Sequence, residues 1–327
     1  MRNFEYTRAE SVKQAAALCA ELGAKAIAGG TNLIDLMKLQ VETPSRLIDL
    51  NSLDARGIEE ADAGLRIGAL ASNTAVAVDM RIRADYPVLT KAILAGATQQ
   101  LRNKASVGGN LGQRTRCFYF TNIDQPCNKR DPGSGCGALK GVARIHAILG
   151  ASRHCIATYP GDMAVAMAAL DAQVEISGPD SKRRMVAVRD FHRCPGDTPE
   201  QDNILDPGEL VIAVHLPAPV SGKQLYRKVR ERSSYAFALC SVAAIVDVKR
   251  GKIARADLAF GSIAPKPWVD ERLTQLLVGE KPNMALFEKA AGILVDDARG
   301  VGDNDYKIPL VRRTLIATLC EATEISA

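Results

Sequence analysis

Hydrophobic and polar positions follow two different periods in the first fifty residues of the chain. Short apolar runs at 24–28 and in "RLIDL" predict buried strands, whereas residues 12–22 repeat apolar side chains at helical spacing. Ser11 is placed to cap that helix. The pattern predicts strand, helix, strand, helix, strand, a small α/β unit in which Gly29 and Gly30 join the second strand to the second helix.

The rest of the chain divides into two further regions. Strand-like alternation appears in "LRIGALAS", "MVAVRDF" and "ELVIAVHLP", and helical patterns follow Ser72 and occupy 87–101. The Pro- and Gly-containing run 217–222 indicates a domain boundary, beyond which Gly251 marks a hairpin between two long strands. Three more helices are predicted, at 268–277, 285–298 and 309–321. The predicted domain bounds are 1–58, 59–219 and 220–327.

Composition and charge narrow the classes of function. Apolar residues make up 47% of the 327-residue chain and charged residues 24%, as in ordinary globular proteins. Lysine and arginine exceed aspartate and glutamate by 42 to 37, a net charge of +5 that permits an anionic ligand. The chain has no basic tract with interleaved aromatics and no run of about eighteen apolar residues, so we expect neither nucleic-acid binding nor a membrane span. The segment "MRNFEYTRAES" lacks an apolar h-region, and we expect no secretory signal on this chain.

Two glycine-rich turns are candidate binding elements. The segment "AIAGGTNLIDLMK" places Gly29 and Gly30 between a strand and a helix, and "ASVGGNLGQRTRC" contains Gly108, Gly109 and Asn110. A turn without Cβ atoms exposes its N–H groups to a phosphate, and the N-terminus of a following helix adds partial positive charge. Neither G-x-G-x-x-G nor a P-loop signature is present, and a lone Gly-Gly pair is more often a plain tight turn. Two such turns in one chain predict a bent dinucleotide whose diphosphate lies between them.

Four of the eight cysteines fall in an irregular segment at about 112–158. They are Cys117, Cys127, Cys136 and Cys155, with nine, eight and eighteen residues between neighbours. Four thiolates suit tetrahedral zinc or an iron–sulfur cluster, and the long spacings favour the cluster over the short knuckles of structural zinc. His146 and His154 are alternative ligands or ordinary polar residues, and two disulfides or four unrelated cysteines are the alternatives to a metal site. The remaining thiols are predicted in the core or, for the last, in a loop: Cys19, Cys240, Cys320 and Cys194.

Four segments, in the same order along the chain, resemble one known family. These segments, "AGGTNLIDLMK", "ASVGGNLGQRTRC", "YPGDMAVAMAALDA" and "YRKVRERSSYAFALCSVAA", are similar to the FAD-binding medium subunits of molybdenum hydroxylases. This family includes the flavoproteins of xanthine dehydrogenase and carbon monoxide dehydrogenase, and the resemblance spans nearly the whole chain. It implies an α+β fold with two FAD-binding subdomains of the PCMH or vanillyl-alcohol-oxidase type. A C-terminal α/β domain resembling that of the carbon monoxide dehydrogenase flavoprotein follows them.

The resemblance also implies which residues hold FAD. The residues around the diphosphate are Lys25, Ala26, Ile27, Ala28, Gly29, Gly30, Thr31, Asn32, Leu33, Ser106, Gly109 and Asn110. Asp162 is implied at a ribose or ribityl hydroxyl, Leu205 at the flavin or adenine, and Lys228 near the ring system. Their ordinary alternatives are a helix N-cap for Asp162, packing for Leu205 and a solvated strand position for Lys228. No catalytic acid or base is predicted, because the reactive atoms belong to FAD.

The segment that follows the second glycine turn is longer than in typical members of the family. Fifty-one residues separate Asn110 from Asp162, and the four cysteines lie between them. This resembles the branch with an additional 4Fe-4S cluster, and it is closer to the flavin subunits of periplasmic aldehyde oxidoreductases than to those of 4-hydroxybenzoyl-CoA reductases. The resemblance implies these ligands for the cluster: Cys117, Cys127, Cys136 and Cys155.

The implied role is that of an electron exit. In the resembled enzymes a large subunit oxidises and selects the substrate at a molybdenum cofactor, and a small subunit with two 2Fe-2S clusters passes electrons to the flavin subunit. The acceptor is external (oxygen, ferredoxin, quinone or NAD), and the extra cluster either extends the relay or braces the insertion. We expect the complex in the periplasm, exported through a partner's signal, with the cytoplasm as the alternative. The rival interpretations are a non-enzymatic zinc-binding scaffold and a stand-alone flavin oxidase of the vanillyl-alcohol-oxidase type.

Overall fold

A computed structural model describes residues 1–325 of the chain. The strands in this range are β1 Glu5–Arg8, β2 Ala24–Ile27, β3 Arg46–Asp49, β4 Ile58–Ala61, β5 Gly64–Gly68, β6 Gln173–Ser177, β7 Arg183–Ala187, β8 Leu210–Leu216, β9 Lys223–Val229, β10 Cys240–Lys249 and β11 Lys252–Gly261. The helices are α1 Val12–Cys19, α2 Leu33–Lys38, α3 Asn73–Val78, α4 Met80–Asp85, α5 Pro87–Ala95, α6 Gln99–Lys104, α7 Val107–Leu111, α8 Phe118–Thr121, α9 Met163–Ala169, α10 Val188–Phe191, α11 Glu271–Leu277, α12 Met284–Leu294 and α13 Lys307–Thr323. None of these helices combines the length and the apolar character that a bilayer crossing requires.

The N-terminal sheet is the small α/β unit that the sequence predicts. Its strands are parallel, with β3 between β1 and β2, and α1 and α2 connect them. Ser11 caps α1 as predicted, because its Oγ accepts a hydrogen bond from the Gln14 amide at 3.2 Å. Gly30 has φ +71°, a left-handed conformation that favours glycine. The turn between β2 and α2 therefore opens at the carboxyl edge of a parallel sheet, where open α/β sheets bind ligands.

The second sheet is antiparallel and has the strand order β4-β5-β8-β6-β7. It shares one hydrophobic core with helices α5 and α9, in which Leu89, Met167 and Val214 are fully buried. The prediction of one helix over 87–101 is wrong: α5 ends before Gly96, and Thr98 caps the separate helix α6. The segment "MVAVRDF" is a strand only in its first half, because α10 begins within it.

The C-terminal sheet has the antiparallel order β11-β10-β9. Arg250 and Gly251 have φ +53° and +72° in the tight turn between β10 and β11, so the predicted hairpin is confirmed. Alternate residues of β10 face opposite sides: Val242 packs with α11, α12 and α13, and Ala243 belongs to the core around α5 and α9. The second and third sheets thus share α5 and α9. The exact domain bounds stay predictions.

The segment 112–158 contains only α8 and a single 3-10 turn, Gly137–Leu139. Side chains hold its backbone instead. The Asn128 Oδ1 accepts hydrogen bonds from the amides of Gly133 and Gly135 at 3.1 and 2.8 Å. Arg130 Nη1 donates to the carbonyl groups of Tyr119 and Phe120 at 2.8 and 2.9 Å. The segment is irregular, as predicted, and side-chain hydrogen bonds fix several of its backbone groups.

Candidate functional site

Two cavities lie beside the glycine turns and form one cleft. The larger, of about 460 Å³, is bounded by β2, the first glycine turn and residues 200–211. The smaller, of about 280 Å³, is bounded by α5, α6 and residues 235–237. Thr31, Asn32 and Gly109 line both cavities. We call the cavities the large lobe and the small lobe, and the place where these three residues separate them is the waist of the cleft.

All fifteen residues predicted to hold FAD line this cleft. The large lobe is lined by Lys25, Ala26, Ile27, Ala28, Gly29, Gly30, Thr31, Asn32, Leu33, Ser106, Gly109 and Leu205. The small lobe adds Asn110, Asp162 and Lys228. The fold therefore gathers into one site residues that lie far apart in the sequence. Their individual contacts with FAD stay predictions.

The waist is formed by close packing of backbone. A Cβ added to Gly29 would lie 1.9 Å from the carbonyl oxygen of Lys104, in the segment that leads into the second glycine turn. A Cβ added to Gly108 would lie 3.2 Å from that of Ala69. Ser106 caps α7 by accepting a hydrogen bond from the Gly109 amide at 3.2 Å. Glycine is needed at position 29 because two stretches of main chain approach each other there too closely for a side chain.

Asn32 carries an unsatisfied polar group at the waist. Its Oδ1 accepts a hydrogen bond from the Arg114 amide at 2.9 Å, and its buried Nδ2 has no hydrogen-bond partner among the described residues. A buried donor without a partner costs about 1–3 kcal/mol, so this position favours a ligand that supplies an acceptor. A diphosphate is rich in acceptor oxygens, and FAD carries one between its two ring systems. The donor and the two-lobed shape of the cleft therefore fit FAD.

A buried ion pair forms one wall of the small lobe. The Asp162 Oδ2 accepts from Lys228 Nζ at 2.8 Å, and its Oδ1 accepts from the Tyr226 hydroxyl at 2.6 Å. The Asp162 and Lys228 side chains are only 9% and 5% exposed. Burial, with the nearby Asp162 charge, raises the pKa of Tyr226 well above its usual range, so its hydroxyl remains a donor. Asp162 occupies the N-cap position of α9, but its side chain makes no capping hydrogen bond there. The solvated alternative for Lys228 is wrong, because its side chain is buried.

Sequence reasoning missed several side chains of the small lobe. The Arg116 guanidinium lies 5.5 Å from the centroid of the Phe237 ring. Tyr235 and Phe237, which line the lobe, are both more than half exposed. Asn73 is buried beside them with its Oδ1 unpartnered among the described residues. Tyr235 and Phe237 occur in the segment "SSYAF", but no local pattern distinguishes an aromatic at a cleft from one in the core.

An ionic network, also missed, lines the large lobe and reaches the cysteine segment. Asp202 accepts from Arg114 Nε and Lys129 Nζ, each at 2.6 Å, and Arg114 Nη1 lies 2.7 Å from Glu42. Burial opposes ionisation of Asp202, but the charges of Lys129 and Arg114 hold its pKa below its usual value. Arg114, Asp202 and Glu42 line the large lobe, whereas Lys129 lines a third cavity. The network therefore connects two sites.

The third cavity, which we call the cysteine cavity, brings together the four cysteines predicted as ligands. Its thiols are Cys117, Cys127, Cys136 and Cys155. All four are free, so the alternative of two disulfides is wrong, and all four line one cavity. Their assignment as one ligand set, rather than as four unrelated cysteines, stays a prediction. Phe120 and Ala157 contribute apolar walls, and His146 and His154 also line the cavity. Within residues 1–325, no three His, Cys, Asp or Glu side chains are grouped closely enough to hold a single metal ion.

Burial dominates the electrostatics of the cysteine cavity. It raises the pKa of the Cys117 thiol to about 12, and it raises the pKa of Cys155 against the opposing charge of Lys129. The Cys117 Sγ lies 3.1 Å from His146 Nε2. Because metals bind thiolates, loading this cavity with iron or zinc requires release of thiol protons. The buried thiols and apolar walls are the surroundings in which soft metal centres are held.

Comparison with known proteins agrees with this geometry. The sequence family described as the FAD binding domain in molybdopterin dehydrogenase matches residues 2–219. The family described as the carbon monoxide dehydrogenase flavoprotein C-terminal domain matches residues 224–321. The aldehyde oxidoreductase FAD-binding subunit PaoB of Escherichia coli strain K12 is 50% identical over 326 residues, which cover 98% of this chain and 99% of that protein. The carbon monoxide dehydrogenase medium chain of Afipia carboxidovorans is 26% identical over 318 residues, with coverage of 96% and 93%.

A solved structure shares the whole fold. Carbon monoxide dehydrogenase from Hydrogenophaga pseudoflava has a chain that superposes with a TM-score of 0.77 at 23% identity, covering 100% of this chain and 99% of that one. This likeness and the two family matches confirm the expected fold class, an α+β FAD-binding fold followed by a carbon monoxide dehydrogenase flavoprotein-like C-terminal domain. The chain belongs to the molybdenum hydroxylase family, as an FAD-binding oxidoreductase subunit.

Proposed function

We propose that this chain is the FAD- and 4Fe-4S-binding electron-transfer subunit of a heterotrimeric, molybdenum-containing aldehyde oxidoreductase. The observation that carries the proposal is the pair of neighbouring sites: a two-lobed cleft lined by all fifteen predicted FAD residues, and a cavity lined by four free cysteines. The 50% identity to the subunit PaoB supports the aldehyde oxidoreductase branch. The alternative is the flavin subunit of a 4-hydroxybenzoyl-CoA reductase-like or other xanthine dehydrogenase-family enzyme.

The cleft residues bind and orient FAD. At the waist, the Asn32 Nδ2 donor and the glycine turns face the place proposed for the diphosphate, and the two lobes accept the two ring systems. Bound FAD supplies the redox chemistry, because its isoalloxazine ring exchanges electrons singly or in pairs. Lys228 places a fixed cation beside the small lobe, and its partner Asp162 holds that cation in position. The chain therefore contributes orientation and electrostatics rather than an acid or base.

The cysteine cavity supplies the donor set of an iron–sulfur cluster. Cubane clusters take four cysteine thiolates, and this cavity offers four free thiols. Three of them, Cys117, Cys127 and Cys155, are buried with Phe120 and Ala157, an apolar shell that limits access of water. The proposed ligands are Cys117, Cys127, Cys136 and Cys155.

The proposed partners are a large subunit with the molybdenum cofactor, a small subunit with 2Fe-2S clusters, and an external electron acceptor. Relatives named as an FAD-binding subunit and as a medium chain support a place within a larger enzyme. The substrate then belongs to the large subunit, and this chain passes on the electrons. A periplasmic location of the complex remains part of the proposal, with the cytoplasm as its alternative.

Purification of the chain with its associated subunits tests the proposal. We expect one FAD per chain and, relative to a Cys136→Ser complex, an excess of about four iron and four sulfide. The Cys136→Ser complex retains FAD, and Cys194→Ser, which removes an exposed thiol outside the cavity, retains both FAD and iron as the matched control. A colourless zinc protein without subunits would contradict the proposal and support the scaffold. If a Cys136→Ser complex without the cluster kept full turnover, the cluster would have a structural role and not a role in electron transfer.

A further inference from the structure

His146 lies in the wall of the cysteine cavity and has no part in the ligand set proposed above. Its side chain is 1% exposed. Its Nε2 lies 3.1 Å from the Cys117 Sγ, within hydrogen-bond distance for sulfur, and its buried Nδ1 has no partner among the described residues. The backbone N–H of His146 donates to the Ala143 carbonyl at 2.8 Å, and Asn304 Nδ2 donates to the His146 carbonyl at 3.3 Å. These two bonds hold the backbone of His146, and its ring has one nitrogen facing one sulfur.

The protonation state of Cys117 sets the direction of this hydrogen bond. A thiol donates to an unprotonated ring nitrogen, but a thiolate bound to iron has no proton and only accepts. A neutral imidazole carries a single N–H, on one of its two ring nitrogens. Once Cys117 is a thiolate, that N–H belongs on Nε2, and Nδ1 becomes an acceptor with no donor opposite it, as the structure has it.

We propose that His146 donates an N–H···S hydrogen bond to Cys117 and thereby raises the reduction potential of the 4Fe-4S cluster. The inference rests on the proposed function, because it requires the cluster to be present. Reduction adds one electron to the cluster and increases the negative charge on its ligand sulfurs. A hydrogen-bond donor stabilises the more negative state more strongly, so its presence favours reduction. His146 acts through Cys117 and touches neither substrate nor FAD in this role.

His154 provides an internal comparison, because it is the same residue type in the wall of the same cavity. Its Nε2 is bonded elsewhere: it lies 2.9 Å from Arg153 Nε and 3.2 Å from Asp197 Oδ1. Its side chain is 34% exposed, whereas that of His146 is closed to water. Loss of His154 removes a histidine from the cavity wall but does not remove the N–H facing Cys117.

An EPR-monitored redox titration of the cluster in the assembled complex tests the inference. His146→Phe removes the donor and keeps a ring, and His146→Gln places an amide N–H near the position of Nε2. We expect the midpoint potential to become more negative in His146→Phe, to move less in His146→Gln, and to stay at the wild-type value in His154→Phe. The FAD content stays the same in all four proteins, because His146 lines the cysteine cavity and not the cleft.

The outcomes separate this inference from the function on which it rests. A His146→Phe complex with an intact cluster and an unchanged midpoint overturns the inference and leaves the proposed function standing. An equal shift in His146→Phe and His146→Gln also overturns it, because packing rather than the donor then sets the potential. Absence of cluster iron in the wild-type complex refutes the proposed function itself. If His146→Phe does not assemble with a cluster, His146→Leu removes the donor with a smaller side chain and is judged by the same criterion.

Discussion

The cleft and the cysteine cavity are neighbours, but different parts of the chain make them. Beside the waist of the cleft, main chain packs on main chain: Gly29 lies against the backbone of Lys104, in the segment that leads into the second glycine turn. The cysteine cavity is made of side chains carried on an irregular segment with one short helix and one 3-10 turn. The side chains of Asn128 and Arg130 hold that segment through hydrogen bonds to its backbone.

This difference predicts which substitutions disrupt each site. Where main chain packs on main chain, an added Cβ is not tolerated, since main chain cannot move aside without displacing its whole element. A side-chain-built site has the opposite sensitivity, because it loses its ligands one substitution at a time. The ionic network of Arg114, Asp202 and Lys129 connects the two sites. A substitution in this network should therefore disrupt both sites together.

The largest effect is expected from Gly29→Ala. The new Cβ would lie 1.9 Å from the Lys104 carbonyl oxygen, so the first glycine turn and the segment before the second must separate. We expect the purified complex to lose most of its FAD, measured by flavin absorbance per chain, while its cluster iron stays at the wild-type level. Gly292→Ala is the control, because a Cβ at this helical position meets no atom within 4 Å. Full FAD occupancy in Gly29→Ala would show that the waist is not fixed by this contact.

The same contrast explains what the sequence could predict of the sites. Gly29 and Gly30 lie in a local strand–turn–helix pattern, which can be recognised in a single short segment. Asp162 and Lys228 were reached only through the family resemblance, because their pairing joins residues 66 positions apart. Tyr235 and Phe237 were missed because their exposure depends on packing between regions.

In the fold, too, elements with clear local patterns were predicted and others were not. The first three strands and two helices were predicted, since period and caps agree along the segment. The break between α5 and α6 was not, because apolar side chains continue past Gly96 and the cap at Thr98 is easily read as helix interior. The four cysteines were grouped by their place in one irregular segment, and the resemblance then implied that they bind a cluster. Their spacing alone left disulfides open, since an irregular segment fixes no relative positions.

Asp202→Asn should affect both sites at once. The variant keeps the shape of the side chain but leaves Lys129 and Arg114 without the carboxylate that both contact at 2.6 Å. Breaking a buried ion pair costs about 3–5 kcal/mol, and we expect the lower end because Arg114 keeps Glu42. The measurements are the thermal midpoint, the FAD content and the cluster iron, and all three should fall. Asp197→Asn, whose side chain is 83% exposed, is the control with little expected change. A decrease in only one of FAD content and cluster iron would show that the network does not couple the two sites.

His192, which supports the second glycine turn, is expected to make the free energy of unfolding depend on pH. The size of this effect is similar to or smaller than that expected for Asp202→Asn. The His192 Nε2 donates to the Leu111 carbonyl at 2.8 Å, and the His192 ring lies 4.2 Å from that of Tyr159, whose hydroxyl donates to the Asn110 carbonyl. Burial lowers the pKa of His192 from 6.5 to about 4. Between these values the unfolded state binds a proton that the folded state does not, so the free energy of unfolding decreases as the pH falls through this window. The loss approaches about 3 kcal/mol near pH 4.

His192→Gln tests this contribution, because glutamine does not titrate. We expect the thermal midpoint of the variant to decrease less than that of the wild type between pH 7 and about pH 4.5. His154→Gln, at a partly exposed position, is the matched substitution. Parallel pH profiles for the wild type and His192→Gln would contradict the assignment.

The smallest effect is expected from Ser106→Ala, and it tests most directly whether the cleft is built from backbone. The variant removes the oxygen that accepts from the Gly109 amide at 3.2 Å, and loss of such a cap costs about 1 kcal/mol of stability. Ser72→Ala is closely matched: Ser72 caps α3 through the Ala75 amide at 3.1 Å and pairs with Ser106 in a β-bridge, but it does not line the cleft. Both variants should lose similar thermal stability. FAD should stay bound in both, with its Kd raised in Ser106→Ala by at most about fivefold, the equivalent of the lost cap. If Ser106→Ala instead lost as much FAD as Gly29→Ala, the Ser106 side chain would be essential for FAD binding. The cleft would then depend on side chains, as the cysteine cavity does.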